Sequence, residues 1–355
     1  MSTNEVLAAG CYSTAGSGRG RGVDLWNVTA DGTATLLASH AVPDPSFVTW
    51  SADGSLVHAV TETSPSHLVT LRPSVDLSEL ELASDLTLAG SGACHVAAGA
   101  DPTALIVSHY GSGQVETVRI DADGVPAEVI DLDDHAEFAE GRTPHPHQAQ
   151  RIPGTDLVAV TDLGLDRVMI YDQRDDGMIE LSSEISLPRG SGPRHLASDH
   201  EGSELYIALE LSGRVATVVR TSPDAAPDLL GPTTDAPRWR VRGSVSATSR
   251  RTPEGDPVPD AVSHLELTAD EHHLLVANRG PDTLSLFARG DQSPELVDEI
   301  DVGSHPRHFT QHAGLILVAA QESDRIDVLR RRGDRLERAA EPIPSPSVSS
   351  LVPRP

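Results

Sequence analysis

Short apolar runs, each cut off by Gly, Pro, Asp or Ser, make up the hydrophobic pattern of this chain, and long stripes with a 3.6-residue period are missing. Runs rich in Val, Ile, Leu and Thr between turn residues predict many short strands joined by tight turns. One unit recurs: an apolar strand, a short polar break, then a second apolar strand. It is read at Ala104–Ile120, Leu157–Asp172, Leu205–Arg220, Leu274–Arg289 and Leu315–Arg330, and more weakly at Leu56–Leu71 and Val6–Trp26. In the five strong copies the first strand closes at His109, Asp162, Leu209, Asn278 and Ala320. Six positions later stand Val115, Val168, Val215, Leu284 and Ile326. Chance does not keep that register five times. With Glu62 as the anchor of the second copy, the spacing is roughly 45–50 residues, the length of a four-stranded propeller blade. The longest interval holds residues 221–259, rich in Pro, Arg, Ser and Asp, which reads as an insertion on a blade edge. Seven copies fill the chain, so the expected fold is an all-β, seven-bladed β-propeller forming one domain over residues 1–355. A sandwich or solenoid of unequal hairpins is the competing reading.

A second landmark precedes each anchor by about 14 residues: His95, His147, His195, His264 and His308, with Phe47 in the second copy. A strand carrying this position would be the innermost of its blade. The repeat then places five imidazoles around one mouth of the central channel, with Arg194 and Arg307 beside them in GSGPRHL and GSHPRHF. The C-terminal PSPSVSSLV echoes PSFVTW at the start of the second blade and has no partner strand after it. It is expected to supply the inner strand of the first blade, closing the ring and removing a free sheet edge.

Composition narrows the partners. The formal net charge is −26, with 53 acidic residues against 27 basic ones, and every basic residue is arginine. Without lysine there is neither a Schiff base nor a P-loop lysine. The acidic balance argues against nucleic acid and anionic membranes, although a local arginine cluster can still bind a small anion. Cys11 and Cys94 make neither a disulfide framework nor a cysteine-rich zinc site. The first ten residues lack the basic and apolar regions of a signal peptide, and no run approaches a membrane span. A soluble, cytoplasmic protein, monomeric by default, is the expectation.

The strings ACHV…VSHYGSGQV, HPHQ…VTDLGLDRV, GSGPRHL…YIALELSGRV, SHLELTADEHHLLVANRG and HPRHF…VAAQESDRI resemble successive blades of the propeller-type lactonases. That family includes bacterial 6-phosphogluconolactonases and fungal carboxymuconate cyclases. The resemblance covers essentially the whole chain, with GCYSTAG…GVDLW and IPSPSVSSL matching its two ends. It implies hydrolysis of a sugar-type lactone at the channel mouth, most directly 6-phosphogluconolactone to 6-phosphogluconate, without a cofactor. By position it implies Glu210, His195 and His147 as catalytic residues and Arg194, Arg307 and Arg279 as substrate contacts, to which His264, at the same mouth, is added. Three positions depart from the family pattern: Leu209 where Asn commonly precedes the Glu, His264 where an acidic residue is common, and Ala320 before Gln321 where Asn-Gln is usual.

Opening a lactone needs an activated water and donors aimed at the oxygen that gains charge. Glu210 or His195 is expected to take the water proton, Arg194 and Arg307 to hold the anion or oxyanion, and His147 to orient water or substrate. Arg279 or Arg189 could read a second anionic group. Each residue has a plainer role open to it. The histidines could cap strand ends, Glu210 could pair with a channel arginine because a lone buried charge is costly, and Arg279 could brace its turn beside Asp282. GSGRGRG (Gly16–Gly22) reads as a hairpin loop rather than a phosphate cradle. A His/carboxylate metal site around Asp162 and Glu210 is disfavoured, since no ligand pair recurs on one element. Two other functions remain open: a non-catalytic propeller binding a ligand or protein, and a muconate-type cycloisomerase. The scarcity of aromatic residues, at 3 %, disfavours a protein-docking face.

Overall fold

The computed structural model describes residues 6–100, 102–221, 238–252 and 260–355. Seven antiparallel sheets follow one another along the chain, and all but the first begin with the inner strand and end with the outer one. The inner strands of blades 2 to 7 are Pro45–Trp50, Ala93–Ala98, Pro146–Arg151, Pro193–Ser198, Ala261–Leu267 and Pro306–His312. Blade 1 takes its inner strand from the C-terminus. Val348–Pro353 pairs antiparallel with Val6–Cys11, Leu7 opposite Pro353 and Ala9 opposite Leu351. Blade 7 carries an extra short strand, Ile343–Pro344, beside its third. Part of the stretch expected as an insertion is blade itself: Arg238–Ser246 is the outer strand of blade 5. Residues 222–237 and 253–259 of that stretch lie outside the described residues.

Burial follows the position of each strand. Second strands such as Val6–Cys11, Ala104–His109, Leu157–Asp162 and Leu315–Ala320 are buried at every residue. Both faces of such a strand pack against neighbouring blades, which is why these runs are apolar throughout rather than alternating. Outer strands such as Leu80–Thr87 are mostly exposed and polar. The cores lie between blades. One joins Leu157, Ala159, Val168 and Ile170 of blade 4 to Leu196, Leu205 and Ile207 of blade 5. Another joins Leu315, Leu317 and Ala319 of blade 7 to Leu7, Ala9, Trp26 and Leu351 across the closure.

Every inner strand slips register after its first residue, or after its second in blade 6, opposite Cys11, Thr61, His109, Asp162, Leu209, Asn278 and Ala320. A bulge adds a residue on one strand and re-aims its side chain. The bulged residues are Ser349, Ser46, Cys94, His147, Arg194, Ser263 and Arg307. Four of the small ones link one blade to the next. Ser349 Oγ donates to Pro45 O at 3.0 Å, Ser46 Oγ to Ala93 O at 2.6 Å, Ser263 Oγ to Pro306 O at 2.5 Å, and Cys94 Sγ approaches Pro146 O at 3.5 Å. The anchor of blade 2 is therefore Thr61, and Glu62 lies one residue beyond it.

Candidate active site

One consequence of the bulges is that the histidines do not form a single ring. His95, His195, His264 and His308 follow the bulge in their strands and pack with Phe47 as an aromatic plug inside the channel. His264 stacks on His308 at 4.0 Å between centroids, Phe47 lies 4.2 Å from His95, and His195 meets His264 edge-on at 5.0 Å. His195 Nδ1 and His264 Nδ1 are 2.8 Å apart, so one donates and the other accepts. Burial pushes the pKa of His95 down to about 3 and lowers those of His195, His264 and His308 as well. His147 stands 15 residues before its anchor rather than 14 and occupies the bulge position itself.

The mouth above the plug is a cavity of ≈ 170 Å³ lined by eight residues. Four come from the bulge position: Cys94, His147, Arg194 and Arg307. The other four, Glu62, Tyr110, Glu210 and Arg279, each follow the anchor residue of a second strand. Two repeat positions thus build the whole pocket. Of the residues expected from sequence, Glu210, His147, Arg194, Arg279 and Arg307 come together here. His195 and His264 do not line it; they sit one residue further along their strands, in the layer beneath, which argues against a direct role for His195 as proton acceptor or His264 as substrate contact. Glu62 and Tyr110 are additions. Their signal was the position just after the anchor, which already held Glu210 and Arg279.

Charge is paired across the pocket in two groups. Glu210 Oε2 lies 2.6 Å from Arg279 Nη2 and 3.0 Å from Arg194 Nε, and Glu210 Oε1 has no partner among the described residues. Opposite, the Tyr12 hydroxyl donates to Glu62 Oε2, while Arg307 Nη2 donates to the Tyr12 oxygen at 2.9 Å and lies 3.7 Å from Glu62. The Arg307 guanidinium also stands 5.3 Å from the centre of the Tyr12 ring. Burial, and then the neighbouring Arg279, lower the pKa of Arg194, which also donates from Nη1 to Ser263 O. Burial works against Arg307 too, but Tyr12 and Glu62 outweigh it and its pKa is raised. For His147, burial and then Arg194, Arg307 and Arg279 hold the pKa well below the ordinary value, so its imidazole is neutral. With three arginines against two glutamates, the lining carries a net charge of about +1 in a strongly acidic protein.

The neighbouring loops explain what holds these groups. Asp162 Oδ1 accepts the backbone N–H of His145 and Leu165, both at 2.9 Å, and Oδ2 lies 2.7 Å from His135 Nδ1. Asp162 is thereby committed to shaping the His145-Pro146-His147 turn. His145 stacks on Tyr110 at 4.3 Å and contacts its carbonyl through Nδ1. The Gly16–Gly22 segment lies in the hairpin between Val6–Cys11 and Val23–Val28. Amides beside and within it are already taken, because Asp44 accepts from Ser13 N at 3.0 Å and Ser17 N at 2.8 Å. A carboxylate of the protein fills the place a phosphate would need.

Residues 6–352 match the model of the family described as "Lactonase, 7-bladed beta-propeller". The chain belongs to this lactonase family. Among its relatives is a 6-phosphogluconolactonase of Bacillus subtilis, 24% identical over 297 residues that cover 81% of this chain and 80% of that protein. An uncharacterized protein of Staphylococcus saprophyticus is 28% identical over 70% of this chain and 72% of its own length. The solved structure of the Pseudomonas aeruginosa periplasmic gluconolactonase superposes with a TM-score of 0.84 at 24% identity, over 99% of both chains, so the two share a fold.

Proposed function

We propose that the protein hydrolyses a sugar-type lactone at this mouth, with 6-phosphogluconolactone as the leading substrate. The observation that carries the reading is Glu210 fixed between Arg194 and Arg279 in a pocket of net positive charge that also holds a neutral His147. Membership in the lactonase family and the named relatives support the reaction class.

The two guanidiniums hold Glu210 by one oxygen, which leaves Oε1 free of protein partners among the described residues to take a proton from water. His147, neutral, can hold that water by a hydrogen bond without adding charge beside the arginines. Attack on the lactone carbonyl builds negative charge on its oxygen, and Arg194 and Arg279 are the nearest fixed positive charges to receive it. The tetrahedral intermediate then expels the ring oxygen, which takes up the proton that Glu210 accepted from water, so the base is restored as the hydroxy acid forms. Arg307, braced by Tyr12, is the candidate for the substrate's own anionic group. A lactone is an activated ester, so this assistance needs no covalent enzyme intermediate.

The test is hydrolysis of freshly made 6-phosphogluconolactone and of gluconolactone, each corrected for spontaneous opening. Glu210→Gln is expected to lower kcat by about 10²-fold or more, and Arg307→Ala to raise KM for the phosphorylated substrate more than for the neutral one. Unchanged turnover in Glu210→Gln would remove the base assignment.

A further inference from the structure

The residue two positions before each bulged one occupies one repeat position around the mouth: Ser347, Asp44, Gly92, His145, Gly192, Ala261 and His305 in blades 1 to 7. Its carbonyl receives the amide of the residue after the anchor, as in Glu62 N to Asp44 O, Glu210 N to Gly192 O and Gln321 N to His305 O. At five of these positions the backbone is left-handed, with φ of 50° at Ser347, 36° at Asp44, 62° at Gly92, 61° at Gly192 and 57° at His305. Only glycine adopts that conformation without steric cost. The other side chains found there repay it with a contact. Asp44 holds Ser13 and Ser17, and Ser347 Oγ accepts from Arg19 N at 3.0 Å. His145 has an ordinary backbone and is stacked and hydrogen-bonded to Tyr110.

His305 differs from all of them. Its backbone is firmly set, for its N–H donates to Asp282 Oδ1 at 2.9 Å and its carbonyl accepts from Gln321 N at 3.1 Å. Its half-buried imidazole has no hydrogen bond, ion pair or ring contact to any described residue. The charges that act on it are those of Arg279, Arg307 and Arg194, three of the arginines that line the pocket. A bulky residue is thus kept where glycine fits best, without a structural partner, beside the cationic wall of the site.

Building on the lactonase reading, we propose that His305 is a substrate-contacting residue at the pocket rim, donating an N–H to the anionic group that Arg307 attracts. Burial, and after it Arg279, Arg307 and Arg194, hold its pKa down to about 3, so the free imidazole is neutral and offers one donor. A neutral donor near guanidiniums fixes the orientation of an anion without adding to the repulsion among the cations. The contact belongs to binding rather than to the bond-breaking step.

His305→Gly tests this cleanly, because it deletes the imidazole and relieves the left-handed backbone at once. The variant is expected to melt at or above the temperature of the unaltered protein. Its Kd for 6-phosphogluconate, by calorimetry, and its KM for the lactone are expected to rise about tenfold, with kcat within a few-fold. His305→Asn, which tolerates the backbone and still donates, should recover part of the affinity. In histidine-labelled protein, the imidazole signal missing from His305→Gly should shift as inorganic phosphate or 6-phosphogluconate is added. A lower melting temperature with unchanged Kd would assign His305 a structural role and overturn the proposal. So would a signal unmoved by ligands that bind, even in an enzyme that opens lactones. A phosphate-dependent shift in a protein that opens no lactone would remove the functional reading and keep the contact. Absence of binding by either probe would overturn both.

Discussion

At the scale of single residues, the distinction between the bulged side chain and the one after it decides what each histidine can do. His147, at the bulge, reaches the cavity. His195, one step along its strand, is enclosed by Phe47, His95, His147, His264 and His308. Replacing His195 by Ala is expected to cost about 2–4 kcal/mol in stability through the cavity and the lost His264 contact. The KM and kcat of the folded fraction should stay within a few-fold. His147→Ala should do the reverse, lowering kcat by about tenfold or more with a smaller change in denaturant midpoint. Denaturant melts alongside initial rates check both, and equal effects on stability and rate would contradict the layering. The arginines were legible in the sequence because PRH places Arg194 and Arg307 directly before the recurrent histidine. The face of each histidine was less so, since a one-residue slip in a strand exchanges its two sides. The single clue was the longer interval from His147 to Asp162. Glu62 was read as a strand end, and that shift by one hid its equivalence to Glu210.

At the scale of strands and blades, the repeat was legible because second strands are buried on both faces and have no freedom to be polar. Outer strands carry no comparable constraint, which is why Arg238–Ser246 was absorbed into an apparent insertion. The closing strand is the element on which the ring depends. Leu351 is fully buried between blades 1 and 7, and Trp50 Nε1 of blade 2 donates to Val352 O at 3.0 Å. Leu351→Ala is expected to destabilise the fold by about 2–5 kcal/mol, and Leu351→Asp to prevent closure by placing a charge in that seam. Limited proteolysis should then cut first in blade 1. First cleavage elsewhere would mean that the seam is not the weakest joint.

At the scale of the whole molecule, two charge effects oppose each other as conditions change. The plug histidines, His147 and His58 are buried, and burial lowers every one of their pKa values, that of His58 to about 4. Between those values and about 6.5 the unfolded chain takes up protons that the folded one refuses. Stability is therefore full above pH 6.5 and falls as the pH drops below it, by about 1.4 kcal/mol per pH unit for each histidine kept neutral. Calorimetry from pH 7.5 to 4.5 should show a steep loss of melting temperature, and a flat profile would mean that the channel admits protons. The net charge of −26 acts at neutral pH, where self-repulsion strains the compact state and salt screens it. Raising sodium chloride from about 0.1 to 1 M, which shortens the screening length from about 10 to 3 Å, should raise the melting temperature. The ring closure has a temporal side as well. A chain made from its N-terminus reaches Val348–Pro353 only after the strands of blades 2 to 7, yet that strand completes blade 1, whose other strands precede all of them. Until then Val6–Cys11 presents an unpaired edge to every later blade. The strands of blade 1 have to wait for this distant partner, so the emergence of Val348–Pro353, rather than of any intervening blade, is the event that commits the ring.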